Sequence, residues 1–148
     1  MRVSVQVEAF HLGAEAEGFA QANNSAGAIV TFTGIVRDAP QGGLVAMEIE
    51  HYPGMTLKAL NEIAQTAMER WSLADALVIH RYGRLAPGEQ IMMVATAARH
   101  RKDAFVAAEY LMDYLKSRAP FWKKEILNDG GAGWVAARDE DEDALTRW

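Results

Sequence analysis

Ala76-Leu77-Val78-Ile79-His80-Arg81-Tyr82-Gly83-Arg84-Leu85-Ala86-Pro87-Gly88-Glu89-Gln90-Ile91-Met92-Met93-Val94-Ala95-Thr96-Ala97 is the stretch on which the fold class turns. Its two halves are rich in apolar residues and Pro87-Gly88 is a turn signal, so the sequence predicts strands over 76–84 and 90–97 joined as a hairpin. A helix flanks the hairpin on each side. Upstream, Leu60, Ile63, Ala67, Met68 and Trp71 recur at three- and four-residue steps, which predicts a helix over 56–71. Downstream, Phe105, Ala108, Leu111, Met112 and Leu115 share one side of a helix over 102–117, and Pro120 stops it. Strands interrupted by two solid helices, with hairpins between, imply an α+β domain. The two helices are expected on one face of a mixed or mostly antiparallel sheet.

The remaining segments extend this pattern. Val3, Val5 and Val7 alternate with polar residues as in a half-buried strand, and residues 14–22 suit a short helix ended by Asn23-Asn24-Ser25. Gly27 to Arg37 is rich in β-branched residues and reads as a central strand, followed by a loop over 38–43. Leu44 to His51 is again extended, and Tyr52-Pro53-Gly54 breaks it. Residues 121–126 and 134–137 are expected as two last strands around Asn128-Asp129-Gly130-Gly131. Nothing repeats and no linker divides the chain, so residues 1–148 are read as one domain.

Composition removes several function classes. Half of the 148 residues are hydrophobic and 24% are charged, as in soluble globular proteins. No apolar run approaches the ~20 residues of a membrane span. Met1 to Glu8 alternates and lacks a signal peptide's apolar centre, so a cytoplasmic protein without membrane attachment is expected. Cysteine is absent, which excludes disulfides, thiolate nucleophiles, persulfides and thiolate metal sites within the chain. The net charge of −5 argues against a nucleic-acid binder. His11, His51, His80 and His100 show no metal-ligand spacing, so no metal and no cofactor is expected, and His80 reads as a satisfied structural histidine. There is no nucleophile elbow, Walker loop or dinucleotide fingerprint.

Three basic clusters remain as candidates for chemistry. Gly34-Ile35-Val36-Arg37 ends a strand at a glycine-rich loop, where an arginine fork suits phosphate, although strands often end this way. Arg99-His100-Arg101-Lys102 concentrates cations at a helix start, where the dipole disfavours them and free N–H groups attract anions. Met112-Asp113-Tyr114-Leu115-Lys116-Ser117-Arg118-Ala119-Pro120-Phe121-Trp122-Lys123-Lys124-Glu125 sets lysines among aromatics on either side of a proline. Lysine beside apolar groups is costly to keep charged, so this is a candidate for anion binding or lysine chemistry. In a strand, Phe121, Lys123 and Glu125 share one face and Trp122, Lys124 and Ile126 the other, and periodicity does not choose between Lys123 and Lys124. The run Asp139 to Asp143 holds five of the 20 acids and reads as a solvated tail or helix start.

At these clusters the chain resembles the MoaE family, the large subunit of molybdopterin synthase. The likeness runs through Val30 to Arg37, Glu50-His51-Tyr52-Pro53-Gly54-Met55, Val78 to Leu85 with Pro87-Gly88, His100-Arg101-Lys102-Asp103-Ala104-Phe105 and Met112 to Glu125. The resemblance implies an α/β hammerhead-type domain with a mixed or antiparallel sheet, two main helices and an additional β-rich part. It implies a sulfurtransferase of molybdenum cofactor biosynthesis, which makes the dithiolene of molybdopterin from cyclic pyranopterin monophosphate. The sulfur would come from the C-terminal thiocarboxylate of a small ubiquitin-like, MoaD-like subunit, on a homodimer within a heterotetramer. Lys116 and Lys123 fall at the catalytic positions, with their separate roles undecided. Substrate contacts are implied for Ile35, Val36, Arg37, His100, Arg101, Lys116 and Lys123, with Lys124 and Glu125 beside them. The site is completed by the neighbouring subunit in some members, so the Arg37 loop or the His100-Arg101 turn is expected to serve a dimer mate. Two other readings fit the basic clusters alone: a non-catalytic module that binds an anionic peptide tail, and a lysine Schiff-base enzyme.

Overall fold

The computed structural model describes residues Met1–Trp148 and contains two four-stranded sheets. The first is built on the hairpin, with β4 (Asp75–Arg81) antiparallel to β6 (Gln90–Ala98). Both strands are buried along almost their whole length, because side chains alternate between two covered faces. Ala76 and Val78 with Met92 and Val94 face the helices α2 (Met55–Arg70) and α3 (Arg101–Ser117). Leu77 and Ile79 with Met93, Ala95 and Ala97 face the other way, where α1 (Leu12–Ala22) covers them with Phe19. The two long helices therefore share one face as expected, and the short one closes the opposite face. β1 (Arg2–Gln6) runs parallel to β4 on one edge, and β2 (Ala28–Ile35) runs antiparallel to β6 on the other.

The second sheet is wholly antiparallel, in the order β5 (Gly83–Leu85), β3 (Leu44–His51), β7 (Phe121–Leu127) and β8 (Ala132–Trp134). The expected strand over 76–84 is thus two strands in different sheets. Gly83 adopts φ +93°, a left-handed conformation open to glycine, and there the chain leaves the first sheet for the second. Continuous apolar and basic character through Leu85 hides this break from a periodicity reading. Two other expectations need correction. β2 is an edge strand rather than a central one, and its β-branched run reflects one-sided burial that leaves Phe32 and Ile35 exposed. The last strand is 132–134 rather than 134–137, because Leu127, Asn128 and Gly130 form the turn that pairs Lys124 with Trp134. The acidic run is a helix start, one of the two forms expected of it, and the short helix α4 (Asp139–Ala144) is tied to α3 through Ser117.

Side chains lock the two sheets together at one place. His80 on β4 stacks on Phe121 on β7, with centroids 3.7 Å apart and planes 16° from parallel. His51 on β3 lies against Tyr82, 4.0 Å between centroids. Thr56, fully buried at the start of α2, accepts from the Tyr52 N–H and donates to the Pro120 carbonyl, each at 2.9 Å. Arg81 ties the hairpin turn to β1, donating to the Val7 and Gln90 carbonyls and to Glu89. No helix is long and apolar enough to cross a membrane.

His80 carries a pH consequence for stability. Burial drives its imidazole pKa from 6.5 to about 3, with the nearby Lys123 charge adding to the effect and a hydrogen bond to the Arg81 carbonyl opposing it. Between those two values the unfolded chain takes up a proton that the folded chain refuses. Stability is therefore lost as pH falls from 6.5 towards 3, by at most about 5 kcal/mol from this residue. Denaturant titrations across this range are expected to show wild type losing stability relative to His80→Phe, and parallel curves would contradict the assignment.

Candidate active site

Register in the second sheet decides which lysine is enclosed. β7 pairs with β3 so that Phe121 lies opposite His51 and Lys123 opposite Ile49, which is 1% exposed. Phe121, Lys123 and Glu125 therefore line the face turned towards the first sheet and α3. Lys124 points the other way, opposite Glu48, with its ammonium 5.6 Å from the Trp134 ring centroid. Trp122 is on that outer face and 47% exposed. Of the large apolar flanks of Lys124, Trp122 is thus solvent-facing and Ile126 half-buried, whereas Lys123 sits against the inner wall. Burial lowers the Lys123 pKa, the charge of Lys116 lowers it further, and the Asp141 carboxylate partly offsets both.

Lys116 comes from the last turn of α3, across the Arg118–Pro120 turn from β7. It is half exposed, and its Nζ is 3.8 Å from Asp141. The C-terminal segment straps α3 at this point. Ser117 Oγ donates to the Asp141 carbonyl at 2.9 Å, and Arg118 pairs with Glu142 at 2.7 Å. Arg147 pairs with Asp113 at 2.6 Å and with Glu109 at 2.9 Å. Exposed pairs of this kind contribute little singly. The firmer anchor is Trp148, whose indole N–H donates to Asp113 and whose ring meets Trp71 and Tyr110 edge-on.

The remaining candidates divide between two ends of the molecule. Val36 exchanges backbone hydrogen bonds with Glu89 and Gly88, so Arg37 emerges exposed beside the start of β6. Ile35 is exposed there as well, while the Val36 side chain is 2% exposed within the core and cannot offer its surface to a ligand. α3 folds back along β6, with Thr96 Oγ donating to the Ala104 carbonyl at 2.7 Å, so Lys116 returns to the same end as Arg37. His100 and Arg101 lie at the opposite end, where β6 gives way to α3. Gly27 is obligatory at that corner, since a Cβ there would lie 2.2 Å from the Arg99 carbonyl oxygen. Nine strand residues separate the two ends by roughly 26 Å at ~3.3 Å per residue. Fifteen residues of helix rise put Arg101 roughly 22 Å from Lys116. One chain therefore gathers Lys116, Lys123, Glu125 and Asp141, with Arg37 at the same end. It does not bring His100, Arg101 or Lys124 to them.

Comparison with known proteins gives this geometry its setting. The family model described as MoaE protein matches residues 5–118. The chain belongs to the MoaE family. Among its relatives, the molybdopterin synthase catalytic subunit of Cereibacter sphaeroides is 68% identical over 148 residues, covering the whole of both chains. The solved MoaE protein of Burkholderia ambifaria superposes with a TM-score of 0.84 at 51% identity, over 99% of this chain and 96% of that one. Molybdopterin synthase from Staphylococcus aureus superposes with a TM-score of 0.79 at 32% identity, over 89% and 95%. The chain is thus an enzyme subunit of the molybdopterin synthase class, acting in molybdenum cofactor biosynthesis.

The MoaE match ends before Lys123 and Asp141. Sequence reasoning missed Asp141 and Thr56, and its reading of His80 as a satisfied structural histidine agrees with the burial and the Arg81 hydrogen bond seen here, without foreseeing the Phe121 stack. The signal for Asp141 was present in the concentration of acids shortly after a basic cluster. Nothing local marked Thr56 or His80, whose partners are 64 and 41 residues away. Because the Asp141 charge raises the Lys123 pKa, Asp141→Asn is expected to lower it further. Labelling of Lys123 by an amine-reactive reagent across pH should then begin at lower pH in the variant, and an unmoved or upward-shifted profile would contradict the geometry.

Proposed function

We propose that this chain inserts sulfur into cyclic pyranopterin monophosphate at the Lys116/Lys123 pair to build the dithiolene of molybdopterin. The observation that carries the reading is a lysine held at reduced pKa beside a second, half-exposed lysine whose Nζ is 3.8 Å from a carboxylate. The two lysine ammonium groups attract an anionic tail, which would take the place of the Asp141 carboxylate at Lys116. A chain without cysteine must receive its sulfur from elsewhere, and a thiocarboxylate on a small ubiquitin-like subunit supplies it. The relatives' designation as a catalytic subunit accords with such a partner.

In this reading the thiocarboxylate sulfur forms a bond to a substrate carbon as that carbon's bond to oxygen breaks, the oxygen leaving as water in one cycle and staying on the opened phosphate ester in the other. Water then adds to the acyl carbon, the acyl C–S bond breaks, and the tail leaves as a carboxylate. Two such cycles, each consuming one thiocarboxylate, give the two sulfurs. Lys116, closer to solvent, holds the anionic tail and the oxyanion at its carbonyl. Lys123, more readily deprotonated, transfers the proton. Arg37 holds the substrate phosphate with its guanidinium fork. Ile35 and Glu125 are proposed as substrate contacts, whereas Val36 can offer only its backbone and Lys124 lies on the opposite face of β7 from Lys123. We place the reaction in the cytoplasm, with residues 1–148 acting as one domain.

His100 and Arg101 enter this scheme from a second copy. A homodimer within a heterotetramer supplies them from the mate, since one chain holds Arg101 roughly 22 Å from Lys116.

Two experiments test the proposal. Lys123→Ala is expected to abolish dithiolene formation in an assay with the thiocarboxylated small subunit while the variant still folds and binds that subunit, and wild-type turnover would sink the assignment. Co-refolding equal amounts of Lys123→Ala and Arg101→Ala should restore on the order of a quarter of wild-type activity, since half the dimers are mixed and each has one intact site. No recovery, with mixed dimers demonstrated, would place both residues in one chain's site.

A further inference from the structure

We propose that His80 is a positioning residue for this reaction, its ring serving as the back wall that fixes Phe121 and, through it, the enclosed position of Lys123. The inference rests on the lysine-pair reading above and deepens it.

Three observations meet at this point. His80 is 4% exposed on β4 and belongs to the first sheet, whereas Lys123 belongs to the second. The two sheets touch through the His80–Phe121 stack, 3.7 Å between centroids at 16°. Phe121 and Lys123 are two residues apart on one face of β7, so whatever fixes the first ring fixes the stem of the lysine. The Arg81 carbonyl can only accept, so His80 Nδ1 carries the proton in their 2.8 Å bond, and this bond holds the imidazole in the stacking plane. The Pro120 carbonyl, one residue before Phe121, is held from the other side by Thr56. The start of β7 is clamped between a helix and the first sheet.

Such a clamp does more than stabilise. A lysine stem packed against Phe121 has one side closed to water, and closure favours its neutral form. The charged and titratable groups that face Lys123 are few: Lys116 from α3, Asp141 from α4, Glu125 on its own strand, His51 across from Phe121, and His80 itself. His80 stays uncharged through the neutral range, so it contributes a wall and not a repelling charge. A loosened wall would let water reach the ammonium and return it towards ordinary lysine behaviour.

Two variants separate the ring from its hydrogen bond. His80→Phe keeps a flat ring for Phe121 and loses the donor to Arg81. His80→Gln keeps an amide donor and loses the ring. The Lys123 pKa is read without substrate, by NMR of the labelled lysine side chain, and turnover is measured separately with the thiocarboxylated partner. The ring assignment requires His80→Phe to keep the Lys123 pKa and to stay within about threefold of wild-type kcat. His80→Gln is expected to raise the pKa by about one unit, which is tenfold less neutral amine, and to lower kcat about tenfold while KM changes less than about threefold. Should His80→Gln not fold, Phe121→Leu removes the same contact from the other side and carries the same expectation. Unchanged Lys123 titration in both ring-deficient variants, or an equal shift in His80→Phe, would overturn the proposal. A shifted titration with no turnover in any variant or in wild type would instead support the wall and count against the sulfur-transfer reading alone.

Discussion

A lysine pressed against an apolar wall is the constraint around which this structure is arranged. Lys123 would be solvated on either edge of its sheet, yet register with β3 sets it opposite fully buried Ile49, on the face turned inward. Each unit by which burial lowers its pKa costs about 1.4 kcal/mol of folding free energy at neutral pH, a cost relieved only as pH rises through the folded-state value. The apolar core between α2, α3 and the first sheet supplies the stability that absorbs it. The second lysine and the Asp141 carboxylate then set the local field. In the proposed reaction these cationic groups would hold an anionic acyl donor and move its protons.

Much of this was legible in the residues, and the parts that were not share a physical cause. The helices α2 and α3 show in the sequence because each buries one stripe, and a stripe has a period. The hairpin shows because Pro87-Gly88 punctuates two apolar runs. The division of 76–84 between two sheets does not show, because Gly83 changes direction without changing composition. The edge position of β2 is equally silent, since β-branched residues suit an edge strand covered on one face as well as a central one. Periodicity separated Lys123 from Lys124 onto opposite faces, but only pairing with β3 reveals which face is inner. His80 looked like an ordinary core histidine, and its stack on Phe121 joins residues 41 apart, beyond the reach of any local pattern.

The two-ended distribution of basic residues has the same origin. Arg37 and the lysine pair gather at the start of β6, and His100 and Arg101 gather at its end. In sequence these clusters look like parts of one site, because no sequence measure reports the length of the strand between them. In three dimensions a rigid strand and a rigid helix hold them apart, and neither element can shorten. The proposed scheme unites them through a second copy, which would make the dimer part of the site and not merely its support.

The central claim is that Lys123 is enclosed beside Lys116, and direct titration of the Lys123 side chain in the unmodified protein tests it most closely. The account predicts a midpoint clearly below the ordinary lysine value of about 10.4, moving further down when the C-terminal strap is removed with its carboxylates. A midpoint at the ordinary value, insensitive to the strap, would place Lys123 in open solvent and contradict the site described here.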